Sequence, residues 1–137
     1  MMGRSLSQRF LILGTVFAGS GVAAGAFGAH ALKGILDPPM IQVFDTATRY
    51  QMYHAFGLCI VSLAIDRYPE RRLEQTGWLF TIGIVLFSGS LYVVSLADIR
   101  WLGAVTPIGG LAFLAGWILF GWRIWRAALP PATSRTP

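Results

Sequence analysis

A chain of 137 residues that is 55% hydrophobic and only 12% charged falls far below the charge of a soluble domain, which is about 25%; an ordinary water-soluble fold is excluded, and the length allows one domain. Eleven Lys and Arg exceed six Asp and Glu, but they stand singly or in pairs between apolar runs, so nucleic acid is excluded as a partner and anionic lipid headgroups fit instead. Cys59 is the single cysteine and Asn is absent, which excludes an internal disulfide, a thiolate metal cluster and N-glycosylation.

The first predicted element is a membrane span at about residues 10–32, built on an uncharged run at 10–29 that matches the roughly 20 apolar residues needed to cross a bilayer. Arg4 and Arg9 before it and Ala29-His30-Ala31 at its end imitate a secretory signal, but the run is longer than the usual core of about 7 to 15 residues, so a retained anchor is expected. Gly21, Gly25 and Gly28, with Gly14 and Ala18, recur every three or four residues and lay a shallow face for close helix packing. The second span is placed at about 39–65. Asp37 before Pro38 and Pro39 is a helix start, and Asp45 with Arg49 is an i, i+4 pair in the favourable order. Its uncharged part, 50–65, covers only about 24 Å, so the first turns should lie in the outer interface.

The third span is expected at about 75–97 and the fourth at about 107–125, with 98–105 as an outer loop. Thr106-Pro107 supplies an N-cap followed by proline at the first helical position. Gly83 and Gly89 in the third span and Gly109, Gly110, Gly116 and Gly121 in the fourth supply the expected partner faces. The membrane domain therefore covers 1–129, and the Pro-, Ser- and Thr-rich tail 130–137 is expected to be disordered.

With four spans, the two tails and the second connection hold eight Lys or Arg, against three in the other connections. The positive-inside rule then makes both termini cytoplasmic. Three spans with an external N-terminus give the same ratio, but that arrangement exports Arg4 and Arg9 and leaves the apolar run 50–65 in water. The expected fold is an all-α integral membrane protein, a four-transmembrane-helix antiparallel bundle. Trp78, Trp122 and Trp125 fall at its cytoplasmic ends and Trp101 at the outer one, as an aromatic belt requires.

This orientation sets His30, Tyr50, Gln51, His54, Ser88, Tyr92 and Thr106 in the outer half. The general role for such residues is to satisfy one another between helices. The sharper one is a polar pocket on His54, Tyr50 and His30, able to take a quinone or lipid headgroup, or less fittingly haem or copper. Two imidazoles without carboxylate or thiolate companions are a thin ligand set, so no metal and no cofactor is assigned. No acid lies in an uncharged run, and Asp45 is already offset by Arg49, so acid–base catalysis has little support and an enzyme is not expected.

The fragments GAFGAHAL, FDTATRYQMYHAFGL, LFSGSLY and TPIGGLAFLAGW, in this order, resemble the YgdD-like family of small membrane proteins, a domain of unknown function with relatives in the mitochondrial inner membrane. The resemblance spans about residues 10–122. It implies a four-helix integral membrane protein and no catalytic residues. The functional expectation is an inner-membrane protein acting by association, as an accessory subunit, an organiser of a larger membrane complex or a homo-oligomer.

Overall fold

The structure, a computed structural model, describes residues 2–128; the tail 130–137 lies outside the described residues. Helix α1 spans Met2–His30, α2 Pro38–Arg67, α3 Glu74–Gly83, α4 Gly89–Ala97 and α5 Thr106–Ala128. Between α3 and α4 a π-helical turn, Ile84–Ser88, keeps the backbone helical, so the two make one rod. There is no strand among the described residues.

Local chemistry sets the helix ends. Asp37 Oδ1 accepts the Met40 N–H at 2.9 Å, and Pro38 and Pro39, whose missing N–H groups cost nothing in a first turn, open α2. At the far end Pro69 follows immediately, and Arg72 in the left-handed region, φ 50°, reverses the chain toward α3. Asp98, φ 52°, does the same after α4, and its carboxylate is held by Arg100 Nε at 2.8 Å.

Consecutive rods run antiparallel. Along the α1–α2 seam Gly14 meets the Ala55 carbonyl and Cys59, Gly21 meets Met52, and Gly28 meets the Phe44 ring. The hydroxyl of Ser62 closes the far end by donating to the Ser7 carbonyl at 2.7 Å. Phe10 fills the space that Gly77 leaves on α3 and sits edge-on to Trp78. On the other side of the molecule, Phe80 lies over Gly116 and Phe113 over Gly83, joining α3 to α5. Phe10, Leu58, Val61, Phe80 and Phe113 are the centre of the resulting core.

The outside is as apolar as the inside. Val16 is 59% exposed, Leu63 68% and Ile118 72%, a surface that water would not tolerate over such an extent. Three stretches, Leu6–Gly34, Glu74–Ala97 and Arg100–Ala127, are long and apolar enough to cross a membrane. Helix α2 is not one of them, since Asp45, Arg49, Gln51 and His54 lower the hydropathy of its first half. Gln51 and His54 are nonetheless buried. Gln51, His54 and Ser62 are thus turned inward against neighbouring helices, while Asp45 and Arg49 stay exposed.

Candidate functional site

The polar residues of the expected pocket divide into separate groups. The first centres on Gln51, which is 5% exposed. Its Nε2 donates to the Phe17 carbonyl at 2.8 Å and to Ser20 Oγ at 2.9 Å on α1. Its Oε1 accepts from the Tyr92 hydroxyl at 2.8 Å on α4, which also lies 3.2 Å from Thr48 Oγ1. One side chain therefore ties three helices together, using both its donors and its acceptor.

The second group centres on His54, 4% exposed. Indole nitrogen is donor-only, so the 3.1 Å contact from Trp117 Nε1 makes His54 Nε2 an acceptor. The proton must then sit on Nδ1, which donates to the Tyr50 carbonyl at 2.8 Å. Both ring nitrogens of the neutral imidazole are occupied, and the ring is stacked on Phe113 with centroids 3.4 Å apart. A metal at Nε2 would first have to displace the indole.

Ser90 and Thr106 make a third group, their hydroxyls 2.7 Å apart across α4 and α5. Ser88, in the π turn, is buried and its Oγ has no hydrogen-bond partner. Tyr50 is 39% exposed, its ring tilted on Phe87. His30 belongs to none of these groups: it is exposed at the end of α1, just past Gly28. Gly28 packs on Phe44, and His54 lies ten residues further along α2, about 15 Å at 1.5 Å per residue. The two histidines expected in one pocket are therefore separated by the antiparallel register.

Two lateral grooves flank these groups. One, about 680 Å³, runs past Phe17, Ala24, Phe44, Gln51, Val85 and Tyr92. The other, about 770 Å³, runs past Tyr50, Tyr53, His54, Phe113, Leu114 and Trp117. No cluster of three metal-ligating His, Cys, Asp or Glu occurs among the described residues.

Trp117 and Phe113 were absent from the expected pocket. Trp117 carried a usable signal: it lies well inside α5 while the other tryptophans cluster near helix ends, and an indole N–H placed within an apolar segment needs an acceptor. Among the expected packing glycines, Gly109 has no room for a Cβ, which would meet Phe87 N at 2.4 Å, and Gly116 and Gly21 are similarly tight against Phe80 and Met52. Gly25 and Gly110 would make ordinary contacts, and Gly89 faces open space.

Residues 24–110 match a family described as a protein of unknown function, DUF423. The chain is 47% identical over 110 residues to a UPF0382 membrane protein of Staphylococcus haemolyticus, covering 80% of this chain and 89% of the relative. It is 47% identical over 111 residues to the UPF0382 membrane protein YwdK of Bacillus subtilis, covering 80% and 90%. No solved structure matches it.

Proposed function

Given that this chain belongs to the DUF423 family of UPF0382 membrane proteins, whose function is unknown, we propose that it is a non-enzymatic four-span protein of the cytoplasmic (inner) membrane acting by association. Both termini face the cytoplasm in this reading, and α2 crosses the bilayer as the most enclosed helix. Its length supports the crossing: 30 residues reach about 45 Å. One observation carries the associative role. Gln51 and His54 spend their hydrogen-bonding groups on neighbouring helices, while the lateral grooves offer mainly apolar and aromatic side chains. Such a surface suits packing against another transmembrane helix, where shape and small residues supply the affinity.

Photo-crosslinking residues at Val85 and Leu114, one in each groove, and at Leu63, exposed outside both grooves, test this in native membranes. At least one groove position should give a discrete protein adduct while Leu63 gives none. Crosslinks to lipid alone at all three positions would refute an associative role.

A second reading rests on the groove beside His54, whose aromatic walls fit a flat ligand such as a quinone. Mass spectrometry of an organic extract checks it. A stoichiometric quinone lost in Tyr50→Leu would favour it, and its absence from a gently purified, folded sample would count against it.

A further inference from the structure

At the end of the molecule where α2 gives way to α3 and α5 finishes, four arginines surround one small cavity. Arg71, Arg72, Arg123 and Arg126, with Trp122 and a single acid, Glu70, line a space of about 220 Å³. Arg72 has only a distant ion pair, its Nε 3.9 Å from Glu74 Oε1. Arg123 is fixed as a strut, donating to the Arg72 carbonyl and to Gln75 Oε1, and so ties α5 to the turn before α3. Arg126 lies over the Trp122 ring, 5.2 Å from its centroid. Arg71 Nε is buried and has no hydrogen-bond partner.

The unpartnered Arg71 Nε is decisive. A charged donor shielded from water without an acceptor is costly, and it stands in the wall of a cavity whose other groups are mainly cationic. An anion rich in acceptor oxygens removes that cost and offsets the mutual repulsion of the arginines; the guanidinium fork is matched to phosphate. Trp78, Trp122 and Trp125, exposed at the same end, have the amphipathic character that favours headgroup depth.

We propose that this cavity is a phosphate-binding site occupied by the headgroup of an anionic phospholipid. Basic pockets between membrane helices on the cytoplasmic side are suited to such headgroups. The site is separate from both lateral grooves and does not depend on the associative role.

The test uses the full chain, purified gently and exchanged into micelles doped with phosphatidylglycerol or phosphatidylcholine, with retained lipid read by native mass spectrometry. Wild type should retain phosphatidylglycerol at least tenfold better than phosphatidylcholine. Arg71→Gln and Arg126→Gln should each reduce that preference severalfold, whereas Arg100→Gln, which removes the same charge at the opposite end, should leave it unchanged. Because Arg71 is partly buried, lipid-free melting of each variant checks folding, and the exposed Arg126→Gln serves independently. Equal retention of the two lipids, or an equal loss in Arg100→Gln, would overturn the site. Stabilisation by millimolar inorganic phosphate without lipid retention would overturn the lipid as its occupant.

Discussion

His54 illustrates how a buried polar residue is stabilised only as half of a pair. Its Nε2 accepts the Trp117 indole N–H at 3.1 Å, so truncating either partner strands the other in an apolar site, at about 1–3 kcal/mol. His54→Phe and Trp117→Phe should each destabilise the protein in reversible unfolding from mixed micelles. The double variant should lose clearly less than the sum, with a coupling of roughly 1 kcal/mol; strict additivity would mean the bond contributes nothing. His54→Ala adds a cavity and should cost about 2–4 kcal/mol, against less than about 0.5 kcal/mol for the exposed His30→Ala. Ser88 supplies the opposite case. Its buried hydroxyl lacks a partner, so Ser88→Ala should be neutral or stabilising by up to about 1 kcal/mol. A loss of stability in the same unfolding assay would reveal an acceptor or a bound group at the π turn.

Helix pairing is governed by where a missing Cβ is needed. At Gly109 an added methyl would stand 2.4 Å from a backbone nitrogen of Phe87, and backbone cannot rotate away. Gly109→Ala should therefore force the π turn and α5 apart and cost about 1–3 kcal/mol. At Gly89 there is open space, and Ala in place of a helical glycine should gain about 0.5–1 kcal/mol. Parallel melting of the two variants checks both, and matched losses would contradict the packing. Gly21 is intermediate, because its tight neighbour is the flexible thioether of Met52. The small-residue spacing was visible in the sequence, but which member touches backbone depends on helix register. The π turn was not visible either: it inserts one extra residue per turn into an otherwise regular apolar run, and no residue type marks that insertion.

For the whole molecule, the proposed topology makes one strong demand. The Pro69–Arg71 turn and the C-terminus of α5 adjoin each other through Arg123, while Arg100–Ala104 lies at the opposite end. Reporter fusions after Glu70 and after Ala128 should both report the cytoplasm, and accessibility labelling at Gly103 should report the outside. Labelling of Gly34, before α2, on the same side as Glu70, after it, would remove α2 from the membrane. The same arrangement explains why the expected common pocket became separate groups. Residues on successive helices that share a depth need not share a face, and α2, lying between α1 and α5, presents Gln51 to one side and His54 to the other.

From composition and spacing alone came the helical class, the apolar exterior, the helix starts at Asp37 and Thr106, and the small-residue faces. Each depends on local chemistry or on periodicity along one chain, which the order of residues contains directly. Tertiary structure alone decided that Trp117 donates to His54, that Gln51 clamps three helices, that His30 stands apart, and that four arginines close around one cavity. Those facts depend on the rotation and register of helices about one another. Packing sets these through close contacts between residues tens of positions apart, and a single turn of one helix would rearrange them all.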